Sequence, residues 1–227
     1  MKKVLALVLI MGLALTLLLA CNGDEEETAN DTTQENNATQ EAPPAVPETL
    51  EFPAEEPADL WEGEMTKVKI EIEDYGDIIV ELNKDAAPIT VENFLGLVND
   101  GFYDGVGFHR IIEDFMIQGG DPDGTGMGGS AENIKGEFTA NGVMNPIQHV
   151  RGVISMARAQ HPDSASSQFF IVHQDSTFLD GEYAAFGRVV EGMDVVDKIA
   201  TTVPAEPGSG AVAPENHPIM TRVSVVD

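Results

Sequence analysis

The chain has 227 residues and carries 39 acidic against 12 basic side chains, a formal net charge of −27 at pH 7. This charge argues against nucleic acid or anionic lipid headgroups as partners, because both are themselves densely negative. Cys21 is the only cysteine, so nothing in the chain that follows it can depend on an internal disulfide.

The first 20 residues are predicted to be a targeting segment. Two lysines precede an uninterrupted apolar run from Val4 to Ala20, as in a bacterial signal peptide. Leu18-Leu19-Ala20-Cys21 matches a lipobox, which is cleaved before its cysteine. An ordinary signal peptide or an uncleaved membrane helix is the alternative, but the run is short for a membrane span. The sequence thus predicts a lipid anchor on Cys21 that holds the protein on the outer face of the cytoplasmic membrane.

Residues 21–64 are predicted to be a lipidated cysteine followed by an acidic, disordered linker. The segment is rich in Asp, Glu, Pro and Thr, and contains no Lys or Arg. Such a composition cannot bury enough apolar surface to offset the entropy of ordering the chain. Trp61 stands near its end, where it either packs on the following domain or makes no contact.

Residues 65–227 have the length of a single domain. Alternating apolar residues over Thr66–Glu73 and the strand pattern of Ile78–Leu82 predict an opening hairpin. An apolar stripe at helical spacing then predicts a helix over Ala87–Asn99, with Thr90 as its N-cap.

A second hairpin is predicted over residues 108–118, because apolar runs flank the polar pair Glu113-Asp114. Side chains alternate between the two faces of a strand, so antiparallel pairing can bring Arg110, Met116 and Gln118 together on one face. A cation among apolar groups costs free energy unless it has partners. The alternative is a surface salt bridge between Arg110 and the carboxylates of the turn.

The remainder of the chain supplies more strands and one more helix. A long glycine-rich connection occupies residues 121–150, and a loop rich in Pro and Gly occupies residues 203–218. Many strands with two helices fit a closed barrel, which leaves no exposed edge. The predicted strands are Arg151–Ala159, Gln168–Val172, Ala185–Val189 and Ile219–Val226, and the second helix is Met193–Ala200.

Seven short motifs occur in a fixed order between Phe108 and Val189, namely FHRII, FMIQGGD, GTG, ISMAR, SQFFI, FLDG and FGRV. Together they resemble the cyclophilin family of peptidyl-prolyl cis-trans isomerases, and the resemblance covers roughly residues 66–227. It implies a mainly β fold, a closed eight-stranded antiparallel barrel capped by two helices. It also implies a monomer that acts on proline-containing polypeptides and needs no cofactor and no metal.

The resemblance assigns roles to individual residues. Arg110 matches the donor to the twisted imide, and Gln118 matches the residue that supports the arginine and the substrate carbonyl. The other matched positions are Phe115, Met116, Phe170 and Leu179 for the proline pocket, Ala157, Arg158 and Ala159 for the substrate backbone, Gly124 and Gln168 for the groove, and Phe178 and Tyr183 for the pocket wall. Several apolar members of this set could instead be plain core residues.

The chain departs from many eukaryotic members of the family at three positions. Phe178 stands in place of tryptophan, which puts strong cyclosporin binding in doubt, and Tyr183 stands in place of histidine. Arg158 stands in place of asparagine, and its charge predicts a bias towards acidic peptides.

Residues 124–129 match the dinucleotide-binding pattern G-x-G-x-x-G, but the match does not indicate that function. Asp121-Pro122-Asp123 comes directly before it, and these carboxylates would repel a pyrophosphate. Calcium is not indicated either, because the other ligands of a calcium loop are missing. The segment is therefore predicted to be a turn that lines the groove, and no metal site is predicted.

The predicted function is a lipid-anchored peptidyl-prolyl isomerase that assists the folding of exported proteins. Its expected partners are proline-containing polypeptides, unfolded exported proteins and the membrane, through the anchor on Cys21. The alternatives are a non-catalytic, proline-peptide-binding chaperone and an anchored surface adhesin. Arg110 favours the enzyme.

Overall fold

The computed structural model describes residues 50–227, which belong to one compact unit. The predicted signal peptide, Cys21 and the linker as far as residue 49 lie outside the described residues. Within residues 50–227, no helix combines the length and the apolar character needed to cross a membrane.

The described residues form eight strands and two α-helices. Every strand and helix predicted from the sequence has a counterpart, and the largest difference is the predicted strand Arg151–Ala159, which is shorter in the structure. The elements are β1 Thr66–Ile72, β2 Gly76–Leu82, α1 Pro88–Asn99, β3 Phe108–Ile112, β4 Met116–Gly119, β5 Val153–Met156, β6 Phe169–Val172, β7 Ala184–Glu191, α2 Met193–Thr202 and β8 Met220–Val226.

All eight strands belong to one antiparallel sheet with the order β3-β4-β6-β5-β7-β2-β1-β8. The sheet curls, and Gly107 and Ile219, the residues just before its two edge strands, pair through an isolated bridge. The predicted mainly β fold with eight antiparallel strands and two helices is confirmed, and its sheet forms a curled half-barrel. A barrel closed by a continuous β3–β8 ladder is not what the structure has.

The edge of β3 pairs with a loop, which explains why β8 does not complete the ladder. Ile111 N donates to Gly210 O at 2.7 Å, and Val212 N donates to His109 O at 3.0 Å. These bonds satisfy the backbone groups that an edge strand would otherwise expose. The same loop contributes to the site described below.

The main core is built around interlocking aromatic rings. Phe94 of α1 packs against Phe169 of β6 with ring centroids 5.5 Å apart and against Phe186 of β7 at 5.2 Å. Tyr103 lies 5.2 Å from Phe94, and its hydroxyl donates to Ser167 O at 3.0 Å. Burial raises the pKa of Tyr103, so this phenol stays protonated and keeps donating.

Thr90 is not the N-cap of α1, contrary to the prediction. Ala87 occupies the N-cap position, and Pro88 begins the helix, where its missing N–H costs nothing. The free N–H groups of Ile89 and Thr90 donate to the buried carboxylate of Glu137, at 3.0 and 2.7 Å. A carboxylate from a distant loop therefore caps this helix, which local sequence cannot reveal.

The predicted linker includes residues 50–62, but the structure places this segment, hereafter the N-terminal strap, against the domain. The Trp61 ring lies 4.3 Å from the guanidinium carbon of Arg188. The Leu60 carbonyl accepts a hydrogen bond of 2.7 Å from Asn83 Nδ2. The acidic composition predicted disorder here, but the few apolar side chains of the strap pack against the surface of the domain.

Candidate active site

The β3–β4 hairpin sets Arg110 directly opposite Gln118. Arg110 Nη1 donates to Gln118 Oε1 at 3.3 Å, and Arg110 Nε donates to the Ser209 carbonyl at 2.9 Å. Among residues 50–227 Arg110 forms no ion pair, so the alternative of a salt bridge with the turn carboxylates is wrong. Two neutral acceptors thus fix the guanidinium and leave its charge uncompensated at close range.

A chain of hydrogen-bonded side-chain amides holds Gln118 in position against the arginine. Gln118 Nε2 donates to Gln168 Oε1 at 2.8 Å. Gln168 Nε2 in turn donates to the carbonyls of Gly128, at 2.7 Å, and Gly126, at 3.2 Å. Because each amide nitrogen has an acceptor, the oxygen of Gln118 is the atom that faces Arg110.

Asp121 organises the glycine-rich loop that ends this amide chain. Its Oδ2 accepts N–H groups from Thr125 at 2.9 Å, Gly126 at 2.6 Å and Gly128 at 3.2 Å, and Oδ1 accepts from Asp123 N at 2.8 Å. Burial raises the pKa of Asp121, but these backbone donors together outweigh it and hold the pKa below the usual range. The loop's N–H groups point inward to a carboxylate, so a pyrophosphate cannot use them.

A pocket of about 430 Å³ opens beside Arg110. Its apolar side is formed by largely buried side chains of Met116, Phe170 and Leu179. The structure brings together nine of the residues predicted for the site, Arg110, Phe115, Met116, Gln118, Ala157, Arg158, Phe170, Leu179 and Tyr183. An arginine fixed at the edge of an apolar pocket is the arrangement that the β3–β4 pattern predicts.

A second cavity of about 410 Å³ adjoins the first. The two share Gln118, Gly126, Ala157 and Arg158 in their walls. Ala159 and Gln168, both predicted for the groove, line the second cavity together with residues 126–130. Residues 126–130, which overlap the glycine-rich segment predicted to line the groove, therefore line this cavity.

Two predicted positions do not line either cavity. Phe178 is 72% exposed and stands at the rim, with its ring 5.5 Å from that of Phe115. Gly124 turns away, and a side chain there would meet the imidazole of His217. The neighbouring Thr125 and Gly126 line the pocket in its place.

The guanidinium of Arg158 is committed to the protein. It donates to Glu182 O from Nε and Nη2, at 3.1 and 3.0 Å, and to Ala159 O from Nη1 at 3.1 Å. It also lies 4.8 Å from the ring centroid of Tyr183. With its donors engaged, Arg158 holds the pocket wall together, and the geometry does not support the predicted bias towards acidic peptides.

His109 lines the pocket, although strand parity places it on the face opposite Arg110. The register shifts between Phe108 and Arg110, so a bulge at His109 breaks the alternation. Neither ring nitrogen has a hydrogen-bond partner within the described part of the chain. Burial lowers the pKa of His109, and the Asp121 carboxylate offsets only part of this, so the ring is neutral near pH 7.

Ser209 and Ala211 are pocket residues that the sequence did not reveal. They belong to the loop that pairs with the edge of β3, where Ala211 forms a bridge with Arg110. Gly210 permits this approach, because it has a φ of +72° and a Cβ there would overlap Ile112. The one available signal is the glycine pair that brackets Ser209.

Comparison with known proteins agrees with this architecture. Residues 67–225 match the family model for cyclophilin type peptidyl-prolyl cis-trans isomerases. A peptidyl-prolyl cis-trans isomerase of Acinetobacter baylyi is 46% identical over 134 residues, which are 55% of this chain and 67% of that protein. Peptidyl-prolyl cis-trans isomerase B of Bacillus subtilis is 47% identical over 123 residues, 54% of this chain and 82% of that protein.

Solved structures show the same fold. A cyclophilin type isomerase of Cryptosporidium parvum superimposes with a TM-score of 0.64 at 31% identity, over 72% of this chain and 99% of that one. A crystal structure of the same protein in the presence of the dipeptide Ala-Pro gives a TM-score of 0.62, also at 31% identity, over 71% of this chain and 99% of that one. The chain therefore belongs to the cyclophilin family and is a peptidyl-prolyl cis-trans isomerase.

Replacing Asp121 by Asn should lower stability in a pH-dependent manner. The pKa of Asp121 is depressed in the folded state, so its contribution is complete above the usual carboxyl value of about 3.9 and is lost as pH falls through the folded pKa. Urea unfolding of the parent and of Asp121→Asn should therefore differ most near neutral pH and converge in acid. Asp123→Asn, on the exposed side of the same loop, is the control. Equal losses for both variants, or a loss that does not shrink in acid, would contradict this account.

Replacing Gly210 by Ala should displace Ser209 from Arg110. The new Cβ would overlap Ile112 and lie 2.7 Å from Ile111 O, so the loop must move. A displacement of about 1 Å near reacting groups can cost about 100-fold, so kcat/KM should fall by about 10- to 100-fold. Gly208→Ala is a matched control, because Gly208 also has a positive φ but has no atom near its Cβ position. Similar activities of the two variants would show that the Ser209 contact is dispensable.

Proposed function

We propose that this isomerase acts on X-Pro bonds of unfolded exported proteins, with Arg110 as the group that stabilises the twisted peptide bond. One observation carries the assignment. Arg110 has its position fixed by Gln118 Oε1 and Ser209 O, and it faces a pocket with an apolar floor.

The chemistry asks for a donor beside an apolar pocket. An X-Pro bond rotates slowly because rotation breaks amide resonance, at a barrier of about 18–20 kcal/mol. In the twisted state the proline nitrogen becomes pyramidal and regains a lone pair. A donor aimed at that nitrogen binds the twisted form more tightly than either planar form, which is what catalysis requires. No nucleophile and no proton transfer is involved.

Arg110 suits this role physically. Its guanidinium stays protonated and presents its N–H groups in a rigid fork. The apolar pocket wall lowers the local dielectric and strengthens the contact. An acceleration of about 10⁵-fold needs roughly 7 kcal/mol, of which one well-placed donor supplies about 3–4. The fit of the proline ring and the exclusion of water must supply the remainder.

The apolar part of the pocket is assigned to the proline ring. Met116, Phe170 and Leu179 form its floor, and Phe115 and Tyr183 also line it. The structure of the Cryptosporidium parvum relative determined with Ala-Pro supports a proline-containing ligand for this fold.

The peptide on either side of proline is assigned to the backbone of residues 157–159 and to the groove beside Gln168. Ala157 N–H is already bound to Gln168 O at 2.9 Å, so it is unavailable to substrate. The chain beyond β5 runs along the groove, where Ala157, Arg158 and Ala159 line the second cavity.

The cellular setting is also a proposal, and it rests on the sequence. A lipobox ending at Cys21 and an acidic segment after it support a lipid anchor, a position outside the cytoplasm, and unfolded exported proteins as clients. The high negative charge supports a monomer that keeps away from nucleic acid.

Mass analysis of the mature N-terminus, from bacteria grown with and without globomycin, tests the anchor. Processing should stop in the presence of globomycin, and the mature protein should begin at an acylated Cys21. A mature chain that begins elsewhere, or that carries an unmodified Cys21, would refute the anchor and leave the isomerase assignment intact.

Replacing Arg110 by Ala tests the catalytic role. With one fixed donor removed, kcat/KM towards an X-Pro peptide should fall by about 10²- to 10³-fold. The readouts are a peptide isomerisation assay and acceleration of proline-limited refolding. Arg222→Ala, an exposed arginine on β8, is the matched control and should keep the parent's activity.

An Arg110→Ala variant that accelerates refolding as well as the parent does would refute the mechanism. A parent that binds X-Pro peptides without isomerising them would instead establish a binding module.

A further inference from the structure

The N-terminal strap lies outside the region that defines the family, because the family match begins at residue 67. It nevertheless contacts two loops next to the proline pocket. Residues 177–183 contribute Leu179 and Tyr183 to the pocket lining, and residues 145–150 carry His149, which stacks on Phe170. These loops are distant in sequence, and the strap touches both of them.

The first contact is made by hydrogen bonds. Gln148 N donates to Glu56 Oε1 at 2.8 Å, and Gln148 Nε2 donates to Ala54 O at 3.2 Å. Trp61 Nε1 lies 3.5 Å from the other carboxylate oxygen of Glu56 and orients it. Backbone and side chain of Gln148 are thus both bound to the strap.

The second contact is made by packing. Phe52 lies against the backbone of Gly181, close enough that a Cβ at this glycine would be 3.5 Å from Phe52 Cβ. Gly181 has a φ of +74°, so the turn needs glycine on conformational grounds as well. Leu179, two residues earlier, belongs to the pocket floor.

A buried polar link joins the two loops behind the pocket. His149 donates its backbone N–H to Asp180 Oδ1 at 2.7 Å, and its Nδ1 lies 3.0 Å from the same oxygen. Its Nε2 lies 3.0 Å from Ser155 Oγ. The imidazole stacks on the ring of Phe170, with centroids 6.0 Å apart and planes 18° apart. A displacement of either loop would therefore move His149 and, through the stacked rings, Phe170 in the pocket floor.

The strap also extends the apolar cluster to which the pocket floor belongs. Met116, Phe170 and Leu179 form this cluster with residues of β5 and β7, and Leu60 and Trp61 pack against it. The pocket and the strap therefore lie on one continuous apolar layer, separate from the main core.

From this geometry we infer that the N-terminal strap is a brace for the active site, and that Phe52 and Glu56 are positioning residues for substrate binding. The inference rests on the proposed function. The strap holds the loops that carry His149 and Asp180 in register, and so keeps Phe170 and Leu179 in place for a proline ring. Loss of the brace should weaken peptide binding without removing Arg110, the group that acts on the twisted bond.

Three variants of the full-length chain test this inference, Phe52→Ala, Glu56→Ala and Glu56→Gln. Phe52→Ala and Glu56→Ala should each raise KM and the Kd for an X-Pro peptide by about three- to tenfold, the effect of one lost hydrogen bond or a comparable contact, with kcat nearly unchanged. Glu56→Gln keeps an acceptor for Gln148 N and should restore most of the affinity. Glu55→Ala is the control, because Glu55 is exposed and forms no hydrogen bond among the described residues.

Trp61 provides an independent readout, because it is the only tryptophan of the chain. Iodide should quench its fluorescence more strongly in Phe52→Ala than in the parent. Saturating X-Pro peptide should reduce that quenching, because coupling between two sites is reciprocal.

Unchanged KM and Kd in Phe52→Ala and Glu56→Ala, with only a lower melting temperature, would overturn the inference and leave the strap a stabilising segment. A parent that binds the peptide but does not isomerise it would refute the proposed function, and the Kd values would still test the strap.

Discussion

The organisation of this site depends on how a protein can fix an arginine without neutralising it. Arg110 is bound by an amide oxygen and by a backbone carbonyl, and neither carries a full charge. A carboxylate would hold the guanidinium as firmly, but its negative field would weaken the positive potential on which the proposed role of Arg110 depends. Neutral acceptors must be oriented by further groups, which is why the support extends through Gln118 and Gln168 to the loop around Asp121. The one carboxylate in this chain of contacts is that of Asp121. It accepts hydrogen bonds from backbone N–H groups and is separated from the arginine by the two glutamine side chains.

The sequence contained enough information to predict the part of the site that carries Arg110 and Gln118. Strand parity paired Arg110 with Gln118, and the structure has this register. Parity failed at His109 because a bulge adds a residue to one strand, and such irregularities leave little mark in an apolar–polar pattern. Ser209 was missed for another reason. Its loop is placed by close packing on β3, which depends on Gly210 lacking a side chain and not on any local periodicity.

The contacts of the N-terminal strap behind the pocket could not be predicted from the sequence, for a related reason. Composition assigned residues 50–62 to a disordered linker, because acidic and proline-rich segments seldom bury enough surface to order themselves. The argument holds for the segment in isolation and fails next to a domain that offers an apolar cluster and free backbone donors. Similarly, Glu137 lies far in sequence from the helix that it caps. In both cases a contact between residues far apart in the sequence decided the local structure. A pattern taken over a short stretch of sequence includes only one of the two contacting residues.

A nucleophilic triad needs access for its substrate as well as hydrogen-bond geometry. This structure has the geometry without the access at Ser155, His149 and Asp180. Their side chains lie at the 3.0 Å separations typical of a nucleophilic triad. Yet Ser155 is completely buried and His149 is covered by Phe170, so no peptide carbonyl can approach the hydroxyl. The same hydrogen bonds that would activate a serine at a surface instead tie two loops to the sheet. In this fold a partly exposed arginine faces the pocket, and the buried residues behind the pocket maintain its shape.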